Sequence, residues 1–379
     1  MKYLFLLSGD YPDIAKEEVL SLIDSTKVKL IGRLLIADLD AIQLKNKSAR
    51  LALTKNIFKV LFECKMNDVE KSMKGFDWNS VYRENFCIRV HFLDGINNNS
   101  IKNHITHQIK NKKILRATSG SSRDRSNPHI AFSEKNLAKY IWRSVNKPRV
   151  ELENPKTLIQ LFIGKKKAYC GLMIHENHEN FESRKSNLRP FSSPTSLHPK
   201  LARALVNLTV IENNEILIDP FCGAGGFLIE AGLMGIKSVG YDINKIMIGG
   251  CKRNLEYFKI KNCRLKTRNA LDINDKFDCL VTDLPYGLNS NVVSEYHKDN
   301  WKLGRINKKI QKEGFTKDLE EFYLQFLKNL RKRLRKKAVI IFPSYADYRS
   351  LLKKSGFRIE KEFSNYVHGS LTRKIVKIS

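Results

Sequence analysis

Acidic residues are scarce in this chain of 379 residues: 39 Asp and Glu stand against 68 Lys and Arg, a net charge of +29. Such a surplus excludes an electrically indifferent surface and points to a polyanion, either nucleic acid or an anionic membrane face. Long apolar runs are also missing. No stretch approaches the roughly 18–20 residues that span a bilayer. The run Tyr3 to Leu7 is too short for a signal-peptide core and has no small-residue cleavage site before Asp10, so it reads as a first strand, and the membrane drops out as a partner. The seven cysteines are odd in number and form no C-x-x-C, which argues against a disulfide framework and against a Cys-based zinc site and implies a reducing, cytoplasmic setting. The pairs His104/His107 and His175/His178 lack neighbouring Cys or acidic ligands and read as surface histidines, so no metal is expected. With 42% hydrophobic residues the chain nevertheless buries real cores. Its length fits two or three domains.

Short apolar runs and helix-like stretches alternate from residue 1 to about 60: Tyr3 to Leu7, Ile14 to Ile23 at helical spacing, and Lys29 to Leu39. They predict a small α+β module. A second α+β region follows over 61–175, with strands expected at Phe86 to Phe92, Thr157 to Ile163 and Lys167 to Ile174 and a helix at Ile101 to Ile109. Between 101 and 150 twelve Lys and Arg meet only Asp124 and Glu134. A solvated helix face would interleave more acids, so this excess marks an RNA-binding region, with Lys110, Lys112, Lys113, Arg116, Arg123 and Arg125 as its candidates. Residues 176–200 are rich in Ser, Asn and Pro without periodicity and read as a linker. Pro199 then starts a helix.

The pattern changes over 201–379 to strand, helix, strand. Ile216 to Ile218, Ser238 to Ile243, Cys279 to Thr282 and Ala338 to Phe342 alternate with helices near 226–235, 244–259 and 318–335, the signature of a parallel, doubly wound α/β sheet. Phe357 to Phe363 and Thr372 to Ile378 supply a closing hairpin. The first of these strands runs into Asp219-Pro220-Phe221-Cys222-Gly223-Ala224-Gly225-Gly226 and then a helix. Glycines there let backbone approach a ligand at the carboxyl edge of the sheet. A dinucleotide fingerprint would need a third Gly at 228, where Leu stands, and a pyrophosphate disfavours the acid at 219. Asp242, next to Ile243, ends the following strand 23 residues on, where a carboxylate accepts from both ribose hydroxyls. This set suits S-adenosylmethionine as cofactor. A glycine turn that merely packs helix on strand is the plain alternative.

The strand Cys279 to Thr282 runs into Asp283-Leu284-Pro285-Tyr286-Gly287. An exocyclic amine on a purine is a poor nucleophile, because its lone pair is delocalised into the ring. One acceptor on each N–H, here the Asp283 carboxylate and the Leu284 carbonyl, turns that lone pair toward a sulfonium methyl. Pro285 stiffens the loop, and Tyr286 offers an aromatic face to an extruded base. Asp283 is the candidate proton acceptor.

DPFCGAGG followed by TDLPYG resembles the amino methyltransferases that modify exocyclic nitrogens. RPFSSPTSLHPKLARALVNL and the ending VHGSLTRKIVKI are similar to one branch, the archaeal tRNA guanosine N2-methyltransferases, over about 184–379. The resemblance implies a Rossmann-like class I S-adenosylmethionine-dependent methyltransferase domain at 201–379. It also implies a THUMP RNA-binding domain at 61–175 and a ferredoxin-like module at 1–60. The implied activity is N2-methylation of guanosine in tRNA, at position 10, to mono- or dimethylguanosine. In the family the loop corresponding to Asp283 through Tyr286 is catalytic, with Pro where Leu284 stands. The resemblance assigns the cofactor to Gly223, Gly225, Gly226 and Asp242. The third acid of the family falls at Asn269, beside Ala270, with Asp272 as the alternative acceptor. Another tRNA or rRNA guanosine, an adenine N6, or a vestigial RNA-binding protein remain open as alternatives, as do a small activating subunit and, without one, a monomer.

Overall fold

The computed structural model describes residues 1–25, 27–93, 132–193, 196–286, 317–368 and 371–379. The chain divides into two compact units. The first comprises Met1–Gly9, Asp24–Ser48 and Thr54–Asn177; the second comprises Asp10–Ile23, which holds helix α1 (Pro12–Leu22), Ala49–Leu53 and His178–Ser379.

The first unit is built on β1 (Lys2–Leu7), β2 (Val28–Ile31), β3 (Leu34–Asp38), β4 (Thr54–Lys65), β5 (Phe86–Phe92), β6 (Thr157–Ile163) and β7 (Lys167–Glu176), with helices α2 (Ala41–Lys47), α3 (Val69–Gly75) and α4 (Glu134–Ser144). Its strands form one sheet in the order β2-β3-β1-β4-β7-β6-β5. Period-2 alternation buries both faces: Ile159, Leu161 and Ile163 pack with Trp78, Leu137 and Ile141, while Phe162 between them packs with Leu4, Phe58 and Tyr169. The expected boundary near residue 60 falls inside β4, which pairs with β1 on one side and β7 on the other. The segments expected as two modules therefore share one sheet. The single run expected over Lys29 to Leu39 is two strands, because Gly32 takes a positive φ of 54° and turns the chain.

The second unit carries β8 (Ile216–Asp219), β9 (Lys237–Asp242), β10 (Cys263–Thr267), β11 (Cys279–Asp283), β12 (Ala338–Pro343), β13 (Ile359–His368) and β14 (Leu371–Ile378). They are joined by α5 (Pro199–Leu208), α6 (Gly226–Leu233), α7 (Lys245–Tyr257), α8 (Lys317–Arg333) and α9 (Tyr348–Lys354). The order is β10-β9-β8-β11-β12-β14-β13. The first five strands are parallel and the closing hairpin is antiparallel, the doubly wound α/β sheet that the strand–helix alternation implies. Strand β12 is buried along its whole length, as a central parallel strand covered on both faces must be. Its residues Ile340 and Phe342 share a core with Phe322, Tyr323 and Phe326 of α8. Among the described residues no helix is long and apolar enough to cross a membrane.

Two segments from earlier in the chain complete this unit. The Glu18 carboxylate on α1 is fully buried and accepts from the Ala52 and Leu53 N–H groups, both at 2.8 Å, and from Asn207 Nδ2 at 2.7 Å. The same helix receives Lys377 Nζ of β14 on Glu17 Oε1 at 3.1 Å. Residues 178–193, most of the stretch expected as a linker, include two short 3-10 turns, Glu182–Arg184 and Ser186–Leu188. Arg184 and Arg203 both pair with Glu230, at 2.8 and 2.9 Å, and with Glu179, at 2.9 and 3.1 Å. The Phe181 ring lies under both guanidiniums, 4.8 and 5.1 Å away. Charged residues that suggest a solvated linker are here a buried ion cluster.

Removing the central anion of that cluster exposes what it balances. Glu230→Gln is expected to lower the unfolding free energy by about 3–5 kcal/mol, because it leaves buried guanidiniums uncompensated. Urea denaturation measures it; a loss below about 1 kcal/mol would contradict the account.

Candidate active site

Strands β8 and β11 lie side by side where the strand order reverses, and in open α/β sheets ligands sit outside the carboxyl ends of strands at such a point. Asp219 ends one strand and Asp283 ends the other. The turn after β8 depends on two glycines with positive φ. Gly225, at +84°, opens α6, and a Cβ there would fall 2.5 Å from Cys251 Sγ, so close packing forbids a side chain. Gly223, at +48°, has nothing within 4 Å of its would-be Cβ. Its backbone lies beside open space, a cradle for a ligand. Ala224 is buried, and its carbonyl accepts from Asn254 Nδ2 at 2.9 Å. Gly226 starts the helix.

The acids around this loop hold its backbone. Asp219, 1% exposed, accepts on Oδ1 from Thr282 Oγ1 at 2.7 Å and from the Phe221 N–H at 3.2 Å. Burial, with Asp242 and Asp283 adding repulsion, pushes its carboxyl up to about 7. Asp242 accepts from Gly223 N–H on Oδ2 at 3.0 Å and from Asn244 N–H on Oδ1 at 2.9 Å. Burial raises its pKa too. One lone-pair direction remains on each oxygen, enough for two ribose hydroxyls. Half-buried Ile243 follows it. The Phe221 ring packs on Phe322 and Phe326, 6.1 and 5.2 Å between centroids, so it ties the loop to α8. Asn269 Oδ1 accepts from the Leu271 N–H at 2.9 Å, capping the 3-10 turn Ala270–Asp272. Ala270 is buried, whereas Asp272 is exposed.

Asp283 through Tyr286 leave β11 as a tightly held loop. Tyr286 donates to Asp283 Oδ1 at 2.6 Å, and Arg373 Nε of β14 lies 3.2 Å from the Tyr286 hydroxyl and 3.5 Å from Asp283 Oδ2. Burial lifts the Asp283 carboxyl to about 6, against the opposing pull of Arg373 and the Tyr286 hydroxyl. Leu284 is buried, and its N–H donates to the Ile341 carbonyl at 3.1 Å. The next two carbonyls are clamped: Tyr323 donates to Pro285 O and Tyr345 to Tyr286 O, each at 2.5 Å. Arg373, Tyr323, Tyr345 and Thr282 escape the sequence reading. Arg373 shares its strand with Lys374 and Lys377, and nothing in the sequence sets it apart from them.

The expected RNA-binding residues Lys110, Lys112, Lys113, Arg116, Arg123 and Arg125, the helix expected at 101–109 and Gly287 lie outside the described residues. The basic run 331–337 is partly spent on internal pairs: Arg335 with Asp278 at 3.3 Å, Lys336 with Glu215, and Lys337 with Glu360 at 2.7 Å. Among the described residues no cluster of His, Cys, Asp and Glu could hold a metal ion.

The residues at the switch point fit S-adenosylmethionine. An open glycine backbone leaves room for the chain of the ligand, Asp242 has acceptor capacity for its ribose, and three buried carboxyls, two of them repelling Asp219, suit a sulfonium cation. Comparison with known sequences runs the same way. Residues 186–303 match a family model described as UPF0020, RMKL-like, methyltransferase domain. The tRNA (guanine(10)-N2)-dimethyltransferase of Methanothermobacter thermautotrophicus is 28% identical over 99% of this chain and 98% of its own length. The enzyme of the same description from Pyrococcus abyssi is 34% identical over 65% of this chain and 69% of its own. A probable tRNA (guanine(10)-N2)-dimethyltransferase of Methanothermococcus thermolithotrophicus is 40% identical over 29% and 74%. Among solved structures, TrmN from Thermus thermophilus aligns over 100% of this chain and 99% of its own at 15% identity, with a TM-score of 0.48.

The raised Asp219 carboxyl has a thermodynamic signature. Its value of about 7 in the folded chain exceeds the roughly 3.9 of an unfolded one, so the fold binds this proton more tightly. That stabilisation is complete below pH ~4 and is lost as pH rises through about 7. Asp219→Asn keeps the acceptor for Thr282 and Phe221 without the ionisation cost. Its Tm is expected above wild type at pH 8, with the gap closing toward pH 5; scanning fluorimetry showing a lower Tm at pH 8 would refute this.

Proposed function

As the chain belongs to the family of tRNA (guanine(10)-N2)-dimethyltransferases, we propose that it methylates the exocyclic N2 of guanosine 10 in tRNA, to the dimethyl stage. The observation that carries this reading is the placing of the Asp283-Leu284-Pro285-Tyr286 loop beside the glycine loop at one switch point. S-adenosylmethionine, when bound, supplies an electrophilic sulfonium methyl. The chain's own residues do the rest. Asp242 and Gly223 hold the nucleoside end of the cofactor, and Gly225 and Gly226 let the backbone pass close to its amino-acid end.

Asp283 receives one N–H of the guanine amine. Each of its oxygens has one protein partner, Tyr286 on Oδ1 and Arg373 facing Oδ2, and each keeps a lone pair for an incoming donor. The Leu284 carbonyl takes the second N–H. Only backbone is required there, so Leu substitutes for the family's Pro. Methyl transfer would form the C–N bond as the methyl–sulfur bond breaks, leaving the cofactor as a neutral thioether, and the amine would lose its proton to Asp283, whose pKa of about 6 makes it a competent acceptor near neutrality. Tyr323 and Tyr345 hold the loop so that both acceptors meet one amine at the same time.

In this reading the first unit serves RNA binding, with a THUMP domain within 61–175, and the basic cluster Lys110, Lys112, Lys113, Arg116, Arg123 and Arg125 neutralises tRNA phosphates. The protein works in the cytoplasm, as a monomer unless a small activating subunit joins it.

Mass spectrometry of nucleosides from tRNA incubated with protein and S-adenosylmethionine tests the function, with N2-dimethylguanosine at position 10 as the expected product and unmodified guanosine as the refuting one. Asp283→Ala is expected to reduce turnover roughly 10²–10⁴-fold while tRNA affinity stays near wild type, and Leu284→Pro to stay within a few-fold of wild type. Because the acceptor must be ionised, kcat/KM is expected to fall about tenfold per unit below pH 6; a flat profile down to pH 5 would remove Asp283 from the proton-accepting role. Neutralising Lys110, Lys112, Lys113 and Arg116 together is expected to flatten the salt dependence of tRNA binding, its logarithmic slope falling by about one for each phosphate no longer neutralised, with filter binding as the readout.

A further inference from the structure

The first turn of α6 faces an arginine that no part of the mechanism uses. Arg189 is 6% exposed. Its Nε donates to the Arg184 carbonyl at 2.8 Å, but neither Nη1 nor Nη2 has a hydrogen-bond partner among the described residues. Two buried guanidinium NH2 groups without acceptors are costly. Their position is specific. Nη1 lies 3.8 Å from where a Cβ on Gly226 would stand, beside the start of the helix that follows the glycine loop. The helix hydrogen bonds begin with the Ile229 N–H to Gly225 O at 2.9 Å, so the N–H groups of Gly226, Phe227 and Leu228 point out of the helix end. No side chain caps that end.

The neighbouring charges do not cancel. Arg184, Arg189 and Arg203 are opposed there by Glu230 and Glu179, and the oxygens of both acids are taken by Arg184 and Arg203. One guanidinium is left over. The segment bearing it is fixed against the loop: the Phe191 N–H donates to Asn254 Oδ1, and Asn254 Nδ2 donates to the carbonyls of Phe191 and Ala224, all at 2.9 Å. A Cβ on Gly250 would sit 2.2 Å from the Phe191 ring, so the fit between the segment and α7 is close.

We propose that Arg189 and the N-terminus of α6 form a carboxylate site that takes the α-carboxylate of the cofactor's methionine portion. The inference rests on the methyltransferase reading above and extends it to a named specificity residue. A planar guanidinium presents two parallel N–H groups to two carboxylate oxygens, and the helix end adds backbone donors and positive potential. Discrimination follows: an adenosyl sulfonium without the carboxylate leaves Arg189 unpaired.

Isothermal titration of the full-length protein with S-adenosylmethionine and with its decarboxylated analogue tests the site, and Arg189→Gln is the informative variant. Wild type is expected to bind the carboxylate-bearing ligand roughly 10–100-fold more tightly. In Arg189→Gln that preference is expected to collapse to within about threefold, through weaker binding of S-adenosylmethionine and unchanged binding of the analogue. Equal affinities in wild type overturn the proposal even if the variant fails to fold, and a preference retained in a folded variant does so as well. If wild type binds neither ligand, the methyltransferase reading fails and the carboxylate site falls with it.

Discussion

A hydrogen bond buried between two parallel strands, Thr282 Oγ1 to Asp219 Oδ1 at 2.7 Å, sets the geometry of everything at the mouth of the catalytic unit. Thr282 is the last residue before Asp283, and Asp219 is the last before the glycine loop. Because the bond is short and both partners are shielded from water, it fixes how far one strand end projects past the other. The second acceptor bond on Asp219, from the Phe221 N–H, passes that constraint into the loop backbone. The glycine loop and the loop from Asp283 to Tyr286 are therefore held by adjacent links of one chain of bonds.

A second layer of restraint surrounds this link. Phe221 packs on α8, the same helix whose Tyr323 clamps the carbonyl of Pro285. Arg373, from the closing hairpin, reaches both Asp283 and Tyr286. The strands at the far end of the sheet thus have a local task in addition to completing the core. Their antiparallel pairing carries an arginine from near the chain terminus to the tip of β11.

The catalytic unit's sheet was legible because its central strands are short apolar runs, three of them ended by an acid, and that punctuation survives folding. Strand β10 was not, since an edge strand reading Cys-Arg-Leu-Lys-Thr buries little and shows no apolar run. Strand β4 was obscured for the opposite reason: it is long and central, and a module boundary drawn by composition cut through it. The acids and glycines of the site are readable because each has a chemical task at a strand end. Thr282, Arg189 and Arg373 are not, because their meaning lies in partners 63 residues and more away or in partners they lack. Residues 178–198 show the limit of composition most plainly. Their Glu and Arg read as solvated until Glu230 and Phe181 are placed among them.

Charge is distributed by function within the chain. A protein with a net +29 nonetheless gathers Asp219, Asp242 and Asp283 around one switch point, where burial raises all three and the other two add repulsion on Asp219. With values of about 7 and about 6, Asp219 and Asp283 are partly protonated in an empty site near neutral pH. A sulfonium cation beside them favours the ionised forms, so cofactor binding and proton release are linked, each promoting the other. Where Asp283 accepts the amine's proton, as proposed, the arrival of the methyl donor shifts it further toward the carboxylate, a coupling that needs no moving part because it follows from burying acids where a cation arrives.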